Sequence, residues 1–101
     1  MQERRTAQRF RTNLSARWES LRTQGRGSVC DLSSSGCFVL TGGEVRSGEL
    51  IRLELVLGDE IAPLWGHVIY QVREIGFAAR FVLERDADMH RVNRLIAGLQ
   101  Q

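Results

Sequence analysis

Two clusters of residues in this 101-residue chain have side chains suited to holding a ligand. The first is Arg5-Thr6-Ala7-Gln8-Arg9, a pair of guanidiniums four positions apart and flanked by Arg4 and Arg11. A guanidinium bonds phosphate oxygens through a planar fork and stacks its face on flat rings. The second is Asp31-Leu32-Ser33-Ser34-Ser35-Gly36. A carboxylate only accepts, so Asp31 suits a ring N–H and an amino group side by side, as on the Watson–Crick edge of guanine. Ser33 adds a donor and an acceptor, and Gly36 lets backbone approach a ligand closely or takes a positive φ. Together they describe a site for something guanine-like and phosphorylated. Each alone has a plainer reading: a solvated charge cluster for the arginines, and an Asx-type turn for the Asp-Ser segment.

The rest of the chain must position these clusters. Residues 1–12 show no sustained apolar period, which predicts an extended or mobile Arg-rich arm. From Leu14 a period of two sets in, with Leu14, Ala16 and Trp18 on one face, the pattern of a half-buried strand. Gly25 and Gly27 suggest a turn over residues 23–27. Short strands are expected at residues 28–30 and 37–40, on either side of the Ser-rich loop, with Gly42-Gly43 closing the second. Ile51, Leu53, Leu55 and Leu57 alternate with Arg52, Glu54 and Val56 in the clearest strand. Gly58-Asp59 then turns into a strand containing Leu64 to Val72, in which Val68, Tyr70 and Val72 share a face. Pro63 cannot donate to a ladder and belongs at an edge or at that strand's entry. Arg73-Glu74 turns into a last strand from Ile75 to Phe81. Beyond Leu83 the period changes: Met89, Val92, Leu95, Ile96 and Leu99 fall at helical spacing, behind Asp86 and Asp88 at the positive end. The expected fold is mainly all-β, a small six-stranded antiparallel barrel (13–83) with a C-terminal α-helix (86–99), in a single domain.

Composition narrows the function. All 14 basic residues are Arg. Residues 1–26 hold seven of them against two acids, a net of +5, while the other 75 residues carry seven against ten, a net of −3. No apolar run approaches the ~20 residues that span a bilayer, and the charged start is no secretory signal, so a cytoplasmic location is expected. Cys30 and Cys37 are the only cysteines and match no zinc spacing; both read as buried small apolar side chains, and no metal or cofactor is expected.

In order and separation the two clusters resemble the signature of the PilZ domain family, an Arg-x-x-x-Arg followed by Asp/Asn-x-Ser-x-x-Gly. Arg5, Arg9, Asp31, Ser33 and Gly36 match all five positions. The likeness extends over residues 4–83, through Gly36-Cys37-Phe38-Val39, Gly66-His67-Val68-Ile69-Tyr70 and Ile75-Gly76-Phe77-Ala78-Ala79-Arg80-Phe81. The resemblance implies a six-stranded barrel that binds the bacterial second messenger cyclic di-GMP. It implies that Arg5 and Arg9 clasp the phosphates and stack on guanine, that Asp31 and Ser33 read a guanine edge, and that Gly36 keeps the loop tight under the base. Arg4 is a further candidate phosphate contact. Tyr70 is either an aromatic that packs on a base or a side chain inside the barrel. A domain of this kind standing alone is expected to signal through a partner protein.

Three rival readings compete. A nucleic-acid-binding barrel would use the basic arm, but only Phe10 and Trp18 supply aromatics beside it and the net charge is +2. A protein-binding module without the nucleotide would use Val92, Leu95 and Leu99 as its contact, the same residues a barrel cap would need. An enzyme needs a base within reach of a nucleophile, and no motif links His67 or His90 to Ser33, Cys30 or Cys37.

Overall fold

The computed structural model describes residues 8–100, so Arg4 and Arg5 lie outside the described residues. Six strands, β1 (Phe10–Glu19), β2 (Gln24–Leu32), β3 (Gly36–Leu40), β4 (Leu50–Leu57), β5 (Glu60–Val72) and β6 (Gly76–Phe81), precede one helix, α1 (Asp86–Leu99). They close into an antiparallel barrel in the order β1-β2-β3-β6-β5-β4. Closure follows from the alternation: each strand has one apolar face, and rolling the sheet on itself buries all of them at once. Leu14, Ala16 and Trp18 of β1 meet Ile51, Leu53 and Leu55 of β4 in the interior, and Trp18 packs edge-on to Phe77 with ring centroids 5.5 Å apart. α1 caps the barrel with Val92 and Leu95 buried and Ile96 and Leu99 packed against the core. Asp88 accepts from the Arg85 backbone N–H at 3.1 Å and so satisfies a donor at the helix start. Met89, assigned to the same stripe by spacing, is half-exposed because it precedes the part of α1 that crosses the barrel. No described helix is long and apolar enough to cross a membrane.

Three boundaries differ from the expected ones. β1 begins at Phe10, so Phe10, Arg11 and Thr12 are strand and not arm, the first two paired with Leu32 and Asp31 of β2. The inward parity does run on through Phe10 and Thr12, but Thr12 places a hydroxyl on the inner face, where it donates to the Val29 carbonyl, and so hides the pattern. The β1–β2 turn is Ser20–Thr23, with Ser20 N–H donating to the Thr23 carbonyl at 2.7 Å. Gly25 and Gly27 lie within β2 instead. A Cβ at Gly25 would stand 2.7 Å from Trp18 Cζ2, so this glycine makes room for the indole and turns nothing. Ile75 is exposed in the β5–β6 turn, where Glu74 adopts φ 64°. Pro63 sits in β5 opposite Glu54, on the stretch that β6 does not reach, which is the edge position its missing N–H requires.

Candidate functional site

Three irregularities in strand register shape one side of the barrel. β1 and β2 slip between Arg11 and Leu14, β2 and β3 between Val29 and Asp31, and β5 and β6 between Val68 and Tyr70. An extra residue in one strand re-aims the side chains that follow it. The slip at Ile69 takes Tyr70 off the face it would share with Val68, so Val68 is buried and Tyr70 is half-exposed on the outer wall. The expectation that Val68, Tyr70 and Val72 share a face fails here, because a period of two does not survive an inserted residue. The slip at Cys30 does the same for Asp31. As a result Arg11, Asp31, Phe38, Ala78 and Tyr70 fall into one cross-strand row over β1, β2, β3, β6 and β5.

This row crosses an open cleft of about 510 Å³, lined by Arg9, Asp31, Ser33, Gly36, Phe38, Tyr70 and Arg80 among others. Arg9 Nε stands 3.5 Å from Asp31 Oδ2, with the two side chains 52% and 31% exposed. Phe38 and Tyr70 rise on either side of the small Ala78, ring centroids 6.2 Å apart and tilted by 47°. The cleft therefore offers a cation and a carboxylate at one lip and two aromatic faces over a low floor. It can hold a molecule that is flat in part, anionic in part, and edged with hydrogen-bond donors.

The structure brings together five of the seven residues singled out from the sequence: Arg9, Asp31, Ser33, Gly36 and Tyr70. Two of them also have work within the fold. Ser33 is buried in the β2–β3 turn: its Oγ accepts from Ser35 N–H at 3.2 Å and lies 3.1 Å from Ser35 Oγ, while its own N–H donates to the Gly36 carbonyl at 2.9 Å. Gly36 has no positive φ; it opens β3, where a Cβ would run into the Ala79 carbonyl of β6. Its missing side chain serves the β3–β6 approach. Cys37 faces inward beneath the cleft, and burial pushes its thiol up to about 12, helped by the nearby Asp31 and Cys30.

Sequence reading missed Phe38 and Arg80. Both were legible in principle, because Cys37 and Val39 point inward on β3, as do Ala79 and Phe81 on β6, which leaves Phe38 and Arg80 outside. What the sequence did not carry is that the register sets Phe38 opposite Asp31 and Arg80 opposite Gly36, at the same cleft.

Comparison with known proteins gives the same frame. No curated protein matches the chain. Among solved structures, the PilZ domain of CeSA from a cellulose-synthesising bacterium aligns with a TM-score of 0.79 at 18% identity, covering 93% of this chain and 99% of that one. The PilZ domain of Escherichia coli YcgR with c-di-GMP aligns at 0.82 and 16% identity, covering 97% and 92%. K. pneumonia MrkH, in a complex with c-di-GMP, aligns at 0.81 and 17% identity over 97% of this chain and 52% of its own. These likenesses are likenesses of fold. The profile of the PilZ domain itself matches residues 3–98. By that match, over nearly its whole length, the chain belongs to the PilZ domain family.

Proposed function

We propose that this chain is a cyclic di-GMP sensor that passes the signal to a partner protein and catalyses no reaction. One observation carries the reading: Arg9 and Asp31 meet at the lip of a cleft whose floor, Ala78, lies between two aromatic rings. In this reading Asp31 accepts from the N1–H and amino group of one guanine. Arg9, with Arg5 and Arg4 from the preceding segment, holds the phosphates and stacks on a base. Tyr70 and Phe38 flank the ring, while Ser33 and Gly36 keep the β2–β3 turn and the β3–β6 spacing that place Asp31. That YcgR and MrkH carry c-di-GMP in their solved structures supports the choice of nucleotide.

The Arg9–Asp31 ion pair does not obstruct this. A half-exposed pair contributes at most about 1 kcal/mol, and both partners gain better ones in the complex. Binding draws the arginine segment ahead of β1 over the cleft and so changes the surface offered to the partner. Calorimetric titration with cyclic di-GMP, with GMP and cyclic di-AMP as controls, tests the reading. Selective binding near or below ~10 μM is the expected result. Absence of heat at high protein concentration overturns it in favour of a module that works by protein contacts alone.

A further inference from the structure

The closed barrel gives each described strand two neighbours and leaves only strand ends open, among them the stretch of β5 that holds Pro63, so a broad association uses a face. One face is unusual. Along the middle of β5 the outward side chains Trp65, Ile69 and Tyr70 are 47%, 45% and 49% exposed, and Leu50 of β4, opposite His67, is 46% exposed. The exposed His67 stands between Trp65 and Ile69 on this face with Leu50 opposite it, and Ile69 and Tyr70 line the cleft. Two half-exposed aromatics and two half-exposed aliphatics present roughly 400 Å² of apolar surface, at the size where a monomer's largest patch is often functional. That is close to the apolar share, about 57%, of the roughly 800 Å² each partner contributes to a standard interface.

The charges beside the patch say what covers it. Arg52 and Glu54, the β4 neighbours of Trp65 and Pro63, pair with each other at 3.1 Å, which leaves the patch without a net sign to select a charged partner. A neutral apolar face suits its own copy, because a two-fold axis sets every group against its equivalent. The exception is Arg80, which stands in the cross-strand row of His67 and Leu50 and lines the cleft. Across a two-fold at this face, two Arg80 guanidiniums, which have no ion pair among the described residues, approach each other.

We propose that the Leu50–Trp65–Ile69–Tyr70 face binds a second copy of this chain, and that a phosphate-bearing ligand in the cleft strengthens the dimer by neutralising Arg80. The second half rests on the cyclic di-GMP reading above; the first does not. Sedimentation equilibrium up to about 1 mM protein, with and without cyclic di-GMP, tests both. The parent is expected to self-associate reversibly, and more tightly with ligand. Trp65→Ser and Leu50→Ser, which leave the cleft lining intact, are each expected to weaken the dimer by ~10-fold or more. Arg80→Gln is expected to tighten it without ligand. A parent that stays monomeric throughout, or surface variants that associate like the parent, overturn the dimer and assign the face to a different protein. Calorimetry on the same samples keeps the two ideas apart: heat of binding without any shift in association sinks only the coupling, and association without heat sinks only the ligand.

Discussion

The barrel wall carries two open clefts of similar size and opposite character. One, of about 400 Å³, lies over β1, β2 and β4 and is lined by Arg17, Arg26, Arg52, Glu19 and Glu54 above the edge of Trp18. The other, of about 510 Å³, holds Arg9 and Asp31. In the first, every strand pair is in unbroken register: Arg17 stands opposite Glu54, Glu19 opposite Arg52, and Arg52 pairs with Glu54. Arg17 and Glu19 each face an opposite charge on β4, although Arg17 also faces Arg26 across β1–β2. All three register slips that touch β1, β2 and β5 fall at the second. Regular pairing lets a sheet satisfy its own polar groups, whereas a bulge leaves side chains aimed at something else. Volume does not separate the two clefts; register does.

Breaking each cleft should therefore give different kinds of loss. Trp18→Ala removes the buried floor of the first and is expected to cost about 3–5 kcal/mol of stability, read by chemical denaturation. Affinity for cyclic di-GMP per folded molecule should not change. Arg9→Ala should do the reverse, weakening the ligand roughly 10- to 150-fold through loss of a charge-assisted bond while the melting temperature barely moves. Arg17→Ala is its control: binding is expected within about 2-fold of the parent, and stability within about 0.5 kcal/mol. Gly36→Ala sharpens the contrast, because the new Cβ meets the Ala79 carbonyl. Overpacking should cost about 1–3 kcal/mol. If affinity per folded molecule survives, Gly36 acts on strand spacing alone; a loss of affinity larger than the loss of stability would give it a part at the ligand.

The smallest effect is a matter of pH. Glu49 accepts from the Arg46 backbone N–H at 2.8 Å and from Arg22 Nε at 2.9 Å. The Arg46 N–H first, and then Arg22, hold its carboxyl below its ordinary value of 4.5. A carboxyl depressed in the folded state stabilises above its unfolded value and ceases to as pH falls through the folded one. Stability measured down through pH 4.5 should drop less in Glu49→Gln than in the parent, and ligand affinity at neutral pH should be equal in the two.

Much of this arrangement was legible in the amino-acid order. Alternation placed β4 within a residue, helical spacing placed α1 at its observed bounds, and the two motifs marked Arg9 and Asp31 before any geometry was known. Illegible parts have specific causes. Thr12 masks the inward parity of early β1, because a hydroxyl that bonds a carbonyl counts as polar in a pattern and as interior in a structure. Gly25 looks like a turn residue and is a vacancy for an indole from the neighbouring strand, a contact that sequence distance conceals. Tyr70 shares no face with Val68 because a bulge, here at Ile69, has no signature of its own in the sequence. The missed residues, Phe38 and Arg80, join the cleft only through a register that spans four strands.

β1 pairs with β2 on one side and β4 on the other, closing the barrel. In time, this makes the first of the six strands wait for its second neighbour until β4 has been made. Ser15 finds its β2 partner, Ser28, 13 residues on, but its β4 partner, Val56, is 41 residues on. Closure is thus a step of large loop entropy, matched by β3–β6 pairing, where Gly36 meets Arg80 44 residues on, and the expected folding is slow for a chain of this length, in the range of milliseconds to seconds. Until Val56 arrives, the second edge of β1 is open to any other chain with a strand to offer, and the segment bearing Arg9 hangs from that edge.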